Sequence, residues 1–219
     1  MKIIKVEQGS DEWQSFREGK FSGTKIGKLY AKSRKKDEMF DTEKANLQFY
    51  QILAERLAVA TADGLDDRSA MERGKLLESE AIKVASDKLK LSNVATDNVW
   101  QDETNPDFIC SPDAYEDTDQ PTWAIEIKCL TSANHIKAIY EDKRPNDYDY
   151  QCLNYFAVNP NLKTLYFCMY DPRFFSEELQ LKTFIIARSE VIEDDIEQLK
   201  QAREIAQKQI NDFVERYSF

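Results

Sequence analysis

The chain of 219 residues contains a single histidine, His135, and its four cysteines form no CxxC pair. Each scarcity removes a class of chemistry. With one histidine and no GxSxG, hydrolytic triad chemistry has little to build on. Cys110, Cys129, Cys152 and Cys168 are too widely spaced to make a zinc ligand set with one histidine. They read instead as buried thiols in a reducing compartment, and His135 is expected on a helix surface. No apolar run approaches the roughly 18 residues that a membrane span needs. The opening "MKIIKVEQGSDEW" turns polar too early for a secretory signal. A cytoplasmic chain is therefore expected. Internal repeats, low-complexity tracts and Pro/Gly/Ser linkers are also missing, so residues 1–219 are expected to form one domain. At 42% apolar and 11% aromatic, the chain can bury a real core.

Positive charge is scarce overall, since the net charge is −10, but it is unevenly spread. Residues 1–36 hold ten Lys/Arg against four Asp/Glu, a net of +6, which leaves −16 on the other 183 residues. A basic end on an acidic body can gather positive potential in one groove while the outside stays soluble. A plain solvated face explains the run "KSRKK" equally well.

Hydrophobic periodicity divides the rest. "SDEWQSFREGKFSGTKIGKLY" reads as a short helix, a glycine-marked turn and a second helix opening near Ser22 to Thr24. "DTEKANLQFYQILAERLAVAT" spaces Leu47, Tyr50, Leu53 and Leu57 for a helix, with Asp41 as candidate N-cap. A further helix is expected over 67–90. "NVATDNVW", "DFICS" and "TWAIEIKCL" read as strands, and 132–141 and 147–158 as helices. "LKTLYFCMYD" and "LKTFIIARS" read as buried strands. A long helix from 190 to 217 places Ile192, Ile196, Leu199, Ile205, Phe213 and Val214 on one face. This order predicts an α/β fold, a mixed sheet flanked by helices.

One stretch, "ICSPDAYEDTDQPTWAIEIKCL", carries the chemistry. In a strand, Glu126 and Lys128 point to the same face, while Trp123, Ile125 and Ile127 point to the other. Pro112 stops ladder pairing at the end of the preceding strand, and a hairpin-type return brings Asp113 near Glu126. Two carboxylates sharing a site repel unless a cation neutralises them. Oxygen ligands without Cys or His select a hard ion, magnesium first and manganese as a substitute. Such an ion polarises a phosphodiester and acidifies a bound water. Lys128 would orient or deprotonate that water, or stabilise charge on the phosphate. A hairpin with charged residues on its wet face is the plainer alternative. Glu78 in "ERGKLLESEAI" is either a third metal carboxylate or a surface helix partner.

"SPD…EIK" resembles the PD-(D/E)XK nuclease core, the restriction-endonuclease-like arrangement. From about residue 10 to 190, the sequence is similar to the phage lambda exonuclease family of viral recombination nucleases, the YqaJ type. The resemblance runs in order through "DEWQSFREGKFSGTKIGKLYAKSR", "GKLLE", "SPD…EIK", "DYQCLNYFAV" and "YFCMYDPRF". It implies that Asp113, Glu126 and the backbone carbonyl of Ile127 ligand magnesium, with Glu78 completing the site. Two ions are implied when DNA is bound. Lys128 would sit beside the attacking water, and Gln151 would position that water or the lysine. Arg17, Thr24 and Arg34 would bind a 5′-phosphate, with Ser22 an alternative to Thr24. Met71 would be a wedge parting the terminal base pair, or else an ordinary packing methionine.

The implied activity is processive 5′→3′ digestion of one strand of linear double-stranded DNA to mononucleotides, leaving a 3′ overhang. The implied assembly is a homotrimeric ring, and the implied partner is a phage single-strand annealing protein. A resolvase- or restriction-type endonuclease and a catalytically silent DNA-binding module are the alternatives. The 5′-phosphate residues count against the first, and the complete set of Glu78, Asp113, Glu126 and Lys128 against the second.

Overall fold

The computed structural model describes residues 47–58 and 68–217, together with Ser10, Glu12 and Ser15. In chain order the elements begin with α1 (Leu47–Leu57), α2 (Ala70–Leu89), β1 (Val94–Ala95), β2 (Trp100–Gln101), β3 (Ile109–Cys110), β4 (Ala114–Glu116) and β5 (Trp123–Lys128). Then come α3 (Ser132–Tyr140), a 3-10 turn (Asn146–Tyr148), α4 (Asp149–Val158), β6 (Thr164–Tyr170), α5 (Glu177–Gln180), β7 (Leu181–Ala187) and α6 (Glu190–Tyr217). The architecture is α/β, as expected. A five-stranded mixed sheet in the order β1-β4-β5-β6-β7 is flanked by helices, and β2 and β3 form a separate ribbon. No helix among the described residues is long and apolar enough to cross a membrane.

Packing resolves two compact units. One combines the described residues up to Leu77 with Cys129–Lys143 and Met169–Lys182; the other combines Glu78–Lys128, Arg144–Cys168 and the described residues from Thr183. The first unit is helical. Tyr50, Ala54, Ile136 and Phe174 form its buried centre, with Leu53, Leu57 and Ile139 packed against them. The Tyr50 hydroxyl donates to Glu141 Oε1 at 2.7 Å, satisfying the polar end of an otherwise apolar contact. In the same unit α2 opens with a capping box. The Glu72 amide donates to Ser69 Oγ at 3.3 Å, and the Ser69 amide donates to the Glu72 carboxylate at 2.9 Å.

His135 departs from expectation. It is 0% exposed rather than on a helix surface. Its Nε2–H donates to the Leu179 carbonyl at 2.7 Å, and the ring stacks tilted at 5.3 Å from Phe174. The reason is that α1 and α5 residues close over α3 on the side that carries His135, Ile136 and Ile139. Nearby, Asp171 lies fully buried between the Arg173 guanidinium at 2.8 Å and the Ser132 hydroxyl at 2.6 Å.

The second unit holds the sheet. Strand β5 is covered on both faces, with Ala124, Ile125, Glu126 and Ile127 all buried. In β6, Leu165, Phe167 and Cys168 are fully buried. The hairpin differs in detail from the sequence expectation. "DFICS" does not pair with "TWAIEIKCL": β3 pairs with β2, and the partner of β5 is β4, which starts after Asp113. Pro112 lacks an N–H, so the strand breaks there and pairing resumes one residue beyond Asp113. The reversal lies over residues 117–122, where Glu116 accepts from both the amide and hydroxyl of Thr122 at 2.7 Å.

Helix α6 runs over 190–217 as expected, but its apolar stripe is covered only in part. Ile196 is buried, while Ile205 is 61% and Phe213 63% exposed. At a rise of about 1.5 Å per residue, the 28 residues of α6 span about 42 Å, against about 15 Å for the 10 of α4, on which it packs. Arg203 secures the contact: its guanidinium lies 4.0 Å from the Phe108 ring centroid and donates to Asn154 Oδ1 at 3.1 Å.

Candidate active site

Antiparallel pairing of β4 and β5 aligns Ala114 with Ile125 and Tyr115 with Ala124, so Asp113 meets the C-terminal half of β5. Its amide donates to the Ile125 carbonyl at 3.1 Å, and its Oδ2 accepts from the Ile127 amide at 2.5 Å. A strand residue two positions along faces the same way, which puts Glu126 and Lys128 side by side. Lys128 Nζ pairs with Glu126 Oε1 at 2.5 Å. The hairpin thus brings Asp113, Glu126 and Lys128 together, as the sequence predicts, although it turns at a different place.

Helix α4 supplies the other wall. Gln151 Nε2 donates to Glu126 Oε1 at 2.7 Å. One turn later, the Tyr155 hydroxyl shares its proton between the Ser111 carbonyl at 2.9 Å and Glu126 Oε2. Glu126, only 3% exposed, is therefore held at both oxygens. In this geometry Gln151 orients the carboxylate, where the sequence reading had it orienting water or the lysine. Tyr155 was not foreseen. The signal for it was present, since Gln151 and Tyr155 are four residues apart and so share a helix face.

The electrostatics are those of an unbalanced site. Burial pushes the Asp113 carboxyl up, Glu126 adds to it, and Glu78 contributes further. The Ile127 amide and Lys128 pull the other way, and the result is a pKa of about 7. Burial works against the charge on Lys128, but Glu126, Asp113 and Tyr148 outweigh it and hold the ammonium above the ordinary lysine range. Glu78, half-buried on α2, adds to the negative surroundings of Asp113.

Among the described residues, no three His, Cys, Asp or Glu side chains already converge as a closed ligand cage. Lys128 and Gln151 both bond Oε1 of Glu126. The donor set nevertheless fits a hard divalent ion: carboxylate oxygens only, with a half-buried Asp113 whose negative charge lacks sufficient compensation. Met71, in the first turn of α2, is 71% exposed rather than packed. Arg17, Ser22, Thr24 and Arg34 lie outside the described residues, as do Asp41 and the helix expected near Ser22.

Comparison with known proteins decides the affiliation. A family model described as the YqaJ-like viral recombinase domain matches residues 12–161, well over half of the chain. The chain belongs to the YqaJ-like viral recombinase family. It is thereby a nuclease of the lambda exonuclease family, as the resemblance implied. The YqaJ match spans Glu78, Asp113, Glu126, Lys128, Gln151 and Tyr155, whereas α6 lies beyond it.

Solved structures agree on the fold. The alkaline exonuclease LHK-Exo from Laribacter hongkongensis aligns at 22% identity and a TM-score of 0.58, covering 95% of this chain and 98% of that one. The structure of LHK-Exo with dAMP aligns over the same shares at 20% identity and a TM-score of 0.57. Among curated proteins, none matches the chain.

Proposed function

We propose that this chain is a magnesium-dependent exonuclease that digests one strand of linear double-stranded DNA in the 5′→3′ direction. Mononucleotides would be released, and 3′ overhangs would remain for recombination by strand annealing. The observation that carries this reading is the meeting of Asp113, Glu126, Lys128 and Gln151 at the β4–β5 hairpin and α4. Asp113, Glu126 and Glu78, with the Ile127 carbonyl, would hold the metal, manganese serving as a substitute and a second ion joining with DNA. Bound there, the ion supplies Lewis acidity toward the scissile phosphate and acidifies a water.

The protein groups do the rest. Gln151 and Tyr155 fix both oxygens of Glu126, so the carboxylate needs no reorganisation when substrate arrives. Lys128, paired with Glu126, orients or deprotonates the water, or stabilises charge on the phosphate. Arg17, Thr24 or Ser22, and Arg34 are assigned to the terminal 5′-phosphate, because a guanidinium fork matches phosphate oxygens. Met71 is assigned to parting the terminal base pair, consistent with its exposure. A homotrimeric ring around the duplex and transfer of the product to a single-strand annealing protein complete the reading. A ring also suits the charge asymmetry, since basic residues would collect toward the DNA.

The test uses a linear duplex labelled at the 5′ or the 3′ end, with or without a 5′-phosphate, in magnesium or in EDTA. Early release of the 5′ label as a mononucleotide, only in magnesium and faster with the phosphate, is expected. Internal cuts would shift the reading to an endonuclease. A bound but intact duplex would leave only the DNA-binding module.

A further inference from the structure

We propose that Tyr148 is a positioning residue for Lys128, its ring face holding the ammonium beside Glu126 for the strand cleavage proposed above, on which this assignment rests. Lys128 Nζ lies 4.8 Å from the Tyr148 ring centroid while it pairs with Glu126 at 2.5 Å. One ion pair restrains how far the ammonium sits from the carboxylate but leaves the flexible four-carbon stem free to swing. The negative face of an aromatic ring adds a second attraction from another side. Together they define a position rather than a distance.

The ring is itself braced. Its centroid lies 5.4 Å from that of Phe167, tilted by 40°, and Phe167 is fully buried in β6. The Arg144 guanidinium sits 5.5 Å from the Phe167 centroid. It pairs with Asp149 at 2.5 Å and donates to Cys152 Sγ at 3.3 Å. The series Lys128, Tyr148, Phe167, Arg144 therefore runs cation, ring, ring, cation, from the site through buried Phe167 to half-buried Arg144. Tyr148 precedes Gln151 by three residues and Tyr155 by seven, so all three lie on one side of α4 and its opening turn. Two of them hold Glu126, and the third holds its lysine neighbour.

Wild type, Tyr148→Phe, Tyr148→Leu and Tyr148→Gln are compared in magnesium-dependent digestion of a linear duplex. In parallel, the metal-free proteins are treated with an acetylating reagent, and Lys128 is read by mass spectrometry against exposed Lys75 and Lys90. The Leu and Gln variants are expected to lower kcat about five- to ten-fold, with KM changed less than about two-fold. Acetylation of Lys128 should rise several-fold in both, and Tyr148→Phe should restore both readings. In a Lys128→Ala background, Tyr148→Leu should change nothing further. Unchanged kcat and labelling in the Leu and Gln variants would overturn the assignment, as would a Phe variant as impaired as Leu. If wild type itself leaves duplex DNA intact, the nuclease reading falls. The labelling then decides alone whether Tyr148 holds Lys128, and reactivity indifferent to the ring overturns it.

Discussion

Two aspartates, one in each unit, Asp171 fully buried and Asp113 half-buried, stand in opposite electrostatic states. Asp171 loses hydration, but hydrogen bonds from Arg173 and Ser132 and the charge of Arg173 more than compensate, and its carboxyl is held below the usual range. Asp113 loses hydration too, and its neighbours Glu126 and Glu78 make matters worse, so its carboxyl rises to about 7. The first carries its counter-charge within the fold. The second leaves it to be supplied from outside, which is what a site for a divalent ion requires.

The largest effect separates the two by activity. Glu126→Gln or Asp113→Asn should lower duplex digestion by about 10³-fold or more, since the proposed metal site loses a ligand. Asp113→Asn should melt no lower than the metal-free parent, because like-charge repulsion is relieved, whereas Glu126→Gln also removes the partner of Lys128 and should melt lower. A variant that keeps activity would remove the residue from the site. Asp171→Asn should do the reverse. Breaking a buried pair typically costs about 3–5 kcal/mol, so its denaturant midpoint should fall sharply. The folded fraction should retain normal kcat.

Tyr155→Phe removes a hydroxyl that holds Glu126 without removing a ligand or a charge. About a ten-fold loss in kcat is expected, with little change in KM. A loss as large as that of Glu126→Gln would mean that Tyr155 does more than orient.

The smallest effect is the pH dependence of stability. Asp113 titrates higher when folded than the usual 3.8, so its stabilisation is complete in acid and is lost as pH rises through about 7. Asp171 and His135 titrate lower when folded, the histidine because burial opposes its charge. Their stabilisation is present above the ordinary values of 3.8 and 6.5 and is lost as pH falls below them. Thermal melts of the metal-free chain should therefore weaken on both sides. Magnesium should raise the melting temperature more at pH 8 than at pH 6, where Asp113 holds a proton. Asp113→Asn should abolish that difference.

Much of this was legible in the chain, for identifiable reasons. Glu126 and Lys128 share a face because a strand repeats every two residues, and no tertiary knowledge is needed to see it. Gln151 and Tyr155 share a face by helical spacing, although only the fold gives that face a target. The hairpin was misplaced because the backbone break at Pro112 can end one strand or precede the next, and both options satisfy the local pattern. His135 was misjudged for a different reason: α3 looks half-solvated until α1 and α5 close over it.

The sequence alone determined the α/β class, the oxygen-only character of the proposed metal site and the pairing of a carboxylate with a lysine, because these follow from residue type and local period. Tertiary structure alone decided which groups share a dielectric environment. Only there does Glu78 act on Asp113, Asp171 meet Ser132, and Tyr148 come under Lys128. Charge–charge energies depend on distance through space and on desolvation, and neither quantity is written along a chain.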